Sequence, residues 1–415
     1  MEPDQSLKFV IVGHVDHGKS TLIGRLLLDT GSLSQDKMRE VEETSQELGR
    51  KTELAFLMDH LKEEREQGIT IDTTQIFFKT PRRDYVIIDA PGHVEFVKNM
   101  ITGASQAEAA ILIIDVNEGV AEQTKRHAYI LTMLGLDRVI VVLNKMDLVN
   151  FEESIFNQVK KEAEVFLKSI NTRADNYIPI SAQNGDNIAN KSKQMAWYQG
   201  PTVLECLDFL KNPDSPQSHS VIFPVQDVYK VEDKRIAVGR IETGVIKKDQ
   251  CIKVLPSQQT TRVNSIEKYL EKPSSGCAGE SIGITTDDPI YLERGQIICE
   301  SGKEPPLTDI FSGNIFWMSK KPFRISKRLI LRCATQEVYC SISCIKKRID
   351  SASLALIEED SEILENLEIG EVTIKTKTPI AIENFNQVQE LGRFVLVQDQ
   401  DVCAGGIITS TGVTK

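Results

Sequence analysis

The chain has 415 residues, 40% hydrophobic and 26% charged, with a formal net charge of -11, a length that asks for two or three domains. The acidic balance argues against a surface covered in basic residues for nucleic acid, while leaving room for one local basic groove. Eight cysteines without a second Cys/His pair beside Cys340 and Cys344 read as buried, reduced thiols rather than a zinc site. No basic leader and no apolar run of membrane length is found, so the expected setting is the cytoplasm with no membrane partner.

The first element is the apolar run "KFVIVG", a strand by its continuous hydrophobicity. Behind it Gly13, His14, Val15, Asp16, His17, Gly18, Lys19 and Ser20 fit G-x-x-x-x-G-K-[ST], and "KSTLIGRLLLDTG" carries helical spacing. In such a loop, backbone N–H groups and the helix N-terminus, with Thr21 in its first turn, surround the α- and β-phosphates of a nucleotide. Lys19 suits the β/γ oxygens and the Ser20 hydroxyl suits Mg²⁺. His14 and His17 line the loop, and packing explains them better than chemistry.

Asp36–Glu66 looks like a helical insertion that moves with the nucleotide. It leads into "EREQGITID", whose Thr70 suits Mg²⁺ and an attacking water. In "VIIDAPGH", Asp89 falls at a strand end and can hold Mg²⁺ through water. The Gly92 N–H is free to meet a γ-phosphate, and His93 is placed to orient the water. Losing the γ-phosphate removes a ligand that both segments share, which makes a switch.

Two further buried strands, "AAILIIDV" and "VIVVLNK", alternate with "QTKRHAYILTMLG" and "ESIFNQVKKEAEVFLKSI". Asn144, Lys145 and Asp147 form N-K-x-D at the end of the second. One carboxylate accepts from both N1–H and N2–H₂ of guanine, a pair that adenine lacks, so Asp147 selects guanine. Asn144 can brace the loop, the Lys145 stem can cover the ring, and Ser181-Ala182 can offer a backbone N–H to O6. The expected ligands are GTP and GDP with Mg²⁺, and Lys19, Thr70 and His93 are the candidates for catalysis.

The β–α alternation predicts a doubly wound, mostly parallel α/β sheet over residues 1–212. Phe209–Ser220 reads as a linker. Residues 213–303 have the texture of a small β-barrel, and residues 304–415 form a second strand-rich block after a break at Ser301–Asp309. Ala355–Glu368, rich in acidic residues, reads as an exposed loop. Ile325–Arg332 and Ile345–Ile349 are short basic clusters, and Trp197 and Trp317 are packing anchors.

"GHVDHGKST", "EREQGITID", "DAPGH" and "NKMD", in that order, resemble the translation-factor class of GTPases. The resemblance implies a P-loop GTPase domain followed by two β-barrel domains. Within that class, "DDPIYLERG" and "FSGNIFWMSKKPF" look like CysN, the large GTPase subunit of sulfate adenylyltransferase. That branch implies sulfate assimilation: GTP hydrolysis drives adenylyl sulfate synthesis from ATP and sulfate on a small CysD-like adenylyltransferase subunit, in a heteromer. The related branch, elongation factor Tu and elongation factor one-alpha, implies delivery of aminoacyl-tRNA, for which the basic clusters offer a site. A CysN-like regulatory GTPase with another client is the third reading. His14 and His17 follow the elongation-factor form of the loop rather than that of CysN, and Ala90 stands where Thr is usual.

Overall fold

The computed structural model describes residues 6–33, 74–90, 100–101, 104, 107–136, 138–210, 219–231, 234–268, 271, 273–325 and 327–412. The expected insertion at 36–66, linker residues 211–218, and Thr70, Gly92 and His93 lie outside the described residues. The chain divides into two compact units, Met1–Asn212 and Pro213–Lys415.

The first unit is built on six strands: β1 (Leu7–Gly13), β2 (Thr74–Lys79), β3 (Asp84–Asp89), β4 (Ala109–Asp115), β5 (Val139–Asn144) and β6 (Ala174–Pro179). Their order is β2-β3-β1-β4-β5-β6. Every pairing is parallel except β2 with β3. All residues of β4 and β5 are buried, as continuous apolar runs must be when helices cover both faces. β2 instead alternates and lies at the sheet edge with Phe77 70% exposed.

Helices of this unit include α1 (Lys19–Asp29), α2 (Glu122–Met133), α3 (Glu153–Ser169) and α4 (Val203–Phe209). α3 shows why they pack: Phe156, Val159, Ala163 and Leu167 recur on one face and are buried. α4 begins at a capping box, in which Thr202 and Glu205 satisfy each other's backbone N–H groups. Asp208 on α4 accepts from the Thr80 and Tyr85 hydroxyls, which ties the β2–β3 turn to the end of the unit. Trp197 donates to the Phe151 carbonyl and packs on Phe156, as an anchor should.

The topology sets the site. Gly13, Asp89, Asp115 and Asn144 are the last residues of β1, β3, β4 and β5. The parallel register therefore brings them to one edge of the sheet, outside the carboxyl ends, where open α/β sheets bind ligands.

The second unit starts with β7 (Ile222–Val231), β8 (Lys234–Arg240), β9 (Val245–Lys247), β10 (Cys251–Leu255), β11 (Gln259–Glu267), β12 (Ser275–Cys277), β13 (Ser281–Thr286) and β14 (Ile297–Glu300). β10-β11-β13-β8-β7-β14 close into a barrel, and β9 pairs with β12.

The last module comprises β15 (Leu307–Trp317), β16 (Phe323–Arg324), β17 (Leu329–Cys333), β18 (Gln336–Asp350), β19 (Leu356–Ser361), β20 (Ile363–Leu364), β21 (Glu368–Ala381), β22 (Arg393–Gln398) and β23 (Asp401–Ser410). Its sheet runs β17-β22-β23-β15-β21-β18-β19, and β17 also pairs with β18, which closes the ring and leaves β19 outside; β16 pairs with β20. An apolar seam of Ile222, Leu255, Ile297, Cys299, Ala381 and Leu391 joins the two β modules.

Two expectations need correcting. Ala355–Glu368 is not a loop but holds β19 and β20. Its charge is tolerated in a strand because Glu358 and Glu359 stand opposite Arg348 and Lys347. The eight cysteines are unpaired, but only Cys206, Cys299, Cys333, Cys340 and Cys403 are buried, while Cys251 is exposed.

Candidate nucleotide-binding site

The phosphate loop turns between β1 and α1 under tight steric limits. A Cβ on Gly13 would lie 2.5 Å from the Ile113 carbonyl oxygen, and one on Gly18, at φ +95°, would lie 2.3 Å from Asn144 Nδ2. Neither position admits a side chain, so the glycines follow from close packing as well as from conformational freedom. Lys19 Nζ donates to the carbonyls of Gly13 (3.0 Å) and His14 (2.8 Å). An ammonium has three donors, so one remains for a phosphate oxygen. Burial pushes this ammonium down to about 8, against the pull of the Asp89 and Asp16 carboxylates. The N–H groups in the first turn of α1 have no intrahelical partner, which makes the helix start an anion site.

Asn144, 2% exposed, joins the two halves of the pocket. Its Nδ2 donates to the His17 carbonyl at 2.9 Å, and its Oδ1 accepts the Ala182 N–H at 2.9 Å. The Ala182 N–H expected to face guanine O6 is thus engaged within the protein, and O6 would have to share or exchange that bond. Ser181 is buried and shapes the same loop, accepting the Asn184 N–H at its hydroxyl. Arg25 of α1 donates to the Ala182 and Gln183 carbonyls, tying the phosphate helix to the base loop.

Lys145 adopts left-handed backbone (φ 66°) and its Nζ lies 2.7 Å from Asp115 Oδ2, which fixes the direction of its stem. Burial raises the Asp115 carboxyl, but the Lys145 and Asn117 donors outweigh it and hold it below the usual carboxylate range. Asp147 follows in the short 3₁₀ helix Met146–Val149 and remains partly exposed, as a group that must receive a base should.

Asp89 is 1% exposed at the end of β3, close enough for its charge to act on Lys19. With the Ser20 hydroxyl it supplies hard oxygen donors, the set that fits Mg²⁺ when phosphates complete the shell. Val15, Asp16 and Thr21 sit in the loop and the first turn of α1 as expected.

Sequence reasoning missed Arg25, Asp115, Glu118 and His127. His17 is fully buried; its Nε2 lies 3.0 Å from Glu118, and its ring meets that of His14 edge-on. His127 of α2 is also fully buried, with no more than a weak contact to the Gly13 backbone for its ring nitrogens. Burial, with the charges of Lys19, Arg126 and His14, pushes it down to about 3. The strand-end "DVNEG" hinted at the Asp115 turn, but nothing local to His127 marks it.

Fold and pocket are those of a P-loop GTPase. Residues 4–215 match the family model for the elongation factor Tu GTP binding domain, and residues 310–409 match a GTP-eEF1A C-terminal domain-like model. The chain belongs to the elongation factor Tu family of translation-factor GTPases. It is 36% identical to elongation factor 1-alpha of Pyrococcus horikoshii and 37% identical to that of Methanopyrus kandleri, each over 97% of both chains. Among solved structures, sup35 complexed with GDP matches 99% of this chain and 95% of its own at 23% identity, with a TM-score of 0.46.

These relatives overturn the sulfate adenylyltransferase reading, and with it the sulfate-assimilation role and the CysD-like partner subunit. Much of what suggested CysN is barrel scaffold. Phe311, Trp317 and Phe323 fill the interior of the last module. Asp288, in the turn after β13, accepts from the Thr261 hydroxyl on β11. Such residues answer to the packing of the barrel, not to a client.

Proposed function

We propose that the chain is a translation elongation GTPase that carries aminoacyl-tRNA in its GTP form and releases it after hydrolysis, in the cytoplasm. The observation that carries this reading is the likeness to elongation factors 1-alpha along 97% of the chain, through the pocket and both β modules. The division at residues 212 and 303 into a GTP-binding domain and two β-barrel domains belongs to the same reading.

In this reading the loop Gly13–Gly18 and the first-turn N–H groups of Lys19, Ser20 and Thr21 enclose the phosphates, and the free Lys19 donor takes a β/γ oxygen. Asp147 accepts the two guanine donors, while Asn144, Ser181 and Ala182 hold the base loop and the Lys145 stem covers the ring. Ser20, Asp89 and Thr70 hold Mg²⁺, whose charge offsets that of the phosphates. The Gly92 N–H meets the γ-phosphate, and His93 orients the attacking water.

Half of the cations in the basic clusters considered for tRNA are committed to carboxylates. Arg348 is clamped by Glu368 through two bonds of 2.6 and 2.8 Å, Lys347 pairs with Glu371 and Arg332 with Glu337. The β7–β8 hairpin is a better surface. Lys230 and Arg235 stand opposite each other at its tip, Arg235 lies 4.6 Å over the Tyr291 ring, and Tyr229 and Tyr291 are more than half exposed. Cations interleaved with aromatic faces suit a phosphate backbone and an unpaired end.

The test is protection of the aminoacyl ester. Deacylation of aminoacyl-tRNA should slow when the chain is loaded with a non-hydrolysable GTP analogue and not when it is loaded with GDP. Equal rates in both states would overturn the reading.

A further inference from the structure

His17 is held by several contacts, and one of them comes from a residue outside every nucleotide motif. Its carbonyl accepts from Asn144 Nδ2 at 2.9 Å. Its Nδ1 lies 3.2 Å from the Asp115 N–H, with the Ile113 carbonyl oxygen farther off at 3.4 Å, and its Nε2 faces Glu118 at 3.0 Å. A carboxylate only accepts, so Nε2 must carry the proton, and a neutral ring then has its lone pair on Nδ1, where the Asp115 N–H points. Burial favours that neutral ring. The tautomer that lets His17 receive Asp115 is therefore set by Glu118.

Glu118 is well placed for this. The Glu118 and Gly119 N–H groups both bond the Asp115 carbonyl, forming the turn that presents the carboxylate. The side chain is 50% exposed, whereas the His17 ring it meets is fully buried. Asp115 itself grips Lys145 on the base side, so the turn 115–119 brackets phosphate loop and base loop together.

We propose that Glu118 is a positioning residue for the guanine nucleotide: by fixing the His17 ring it holds the phosphate loop open in its receptive shape and slows nucleotide release. This rests on the GTPase reading of the pocket. It assigns no chemical step to Glu118, which touches His17 and not the ligand site.

Release of a fluorescent GDP from the full chain tests it. Glu118→Leu leaves a buried ring donor without its acceptor and should speed release about five- to tenfold. Glu118→Gln keeps an acceptor oxygen for Nε2–H and should stay within about twofold of the parent. The unpaired buried donor also costs the empty protein stability, so the Leu variant should melt lower without nucleotide while the Gln variant melts with the parent. Release from the Leu variant at the parent rate would overturn the proposal. So would equal acceleration in both variants. Failure of the parent chain to bind GDP would instead overturn the pocket reading itself, before any variant is compared.

Discussion

Asn144 and His17, 127 positions apart, are joined by one hydrogen bond of 2.9 Å from side chain to main chain. Because the same amide also accepts from Ala182, the phosphate and base halves of the pocket share a single buried side chain. Asn144→Ala leaves two buried backbone groups unpaired, at about 1–3 kcal/mol each. GDP affinity should fall about a hundredfold in a calorimetric titration, with no gain in affinity for ADP.

Base selection hangs on Asp147. An Asp147→Asn side chain presents N–H donors where guanine also presents donors, so GDP binding should be lost. Xanthosine diphosphate carries a carbonyl at that position and should bind the variant better than GDP does, by about tenfold or more for one recovered charge-free pairing. Competition binding with the two nucleotides checks this.

The Lys19 ammonium, pushed down from 10.5 to about 8 by burial, gives nucleotide affinity a pH dependence. A phosphate needs the charged form, so above pH 8 binding must take up a proton. GDP affinity should then decline as pH rises, by up to about tenfold per unit until the ordinary lysine range is reached. Folding of the empty protein responds in the opposite sense. Between pH 8 and 10.5 the unfolded chain holds this proton and the native chain does not, so the cost of burying the charge fades as pH rises. Affinities measured at about pH 7, 8 and 9 decide the first point.

His127, pushed down to about 3, stays neutral in the native state while its unfolded counterpart takes a proton below 6.5. The unfolded state binds more protons in that window, so stability falls as pH drops from 6.5, by up to about 1.4 kcal/mol per unit. His127→Leu removes this dependence and a poorly satisfied buried ring. Its stability at pH 7 should lie within about 1 kcal/mol of the parent, and its loss between pH 7 and 5 should be smaller by about 1–2 kcal/mol. Urea titrations at both pH values read the difference.

Reversing charge at the hairpin tip with Lys230→Glu and Arg235→Glu separates tRNA from nucleotide. Without these two phosphate-binding cations, aminoacyl-tRNA binding should weaken by about tenfold or more at low salt and its salt dependence should flatten. GDP affinity should not change. A filter-binding series in rising salt measures both.

What is legible in the sequence is local. Val139–Leu143 is apolar throughout and buried throughout, and Gly13–Ser20 is a contiguous motif, so strand and loop can be read without partners. β2 escapes such a reading because its buried positions alternate with exposed ones. Leu356–Ser361 resembles a loop because its acidic residues look solvated. The cations that allow it to be a strand are Lys347 and Arg348, across a turn and out of reach of periodicity. Glu118 and Arg25 are hidden for the same reason: their partners lie about a hundred and more positions away. The mistaken client came from giving short barrel segments, the acidic Asp287–Gly295 above all, the weight of a functional signature.

The seam of Ile222, Leu255 and Ile297 against Ala381 and Leu391 bears on how the molecule can be taken apart. A fragment ended before the last module would present that oily strip to water and should aggregate or unravel rather than stand alone. The two β modules should therefore be expressed, melted and exchanged between relatives as one piece.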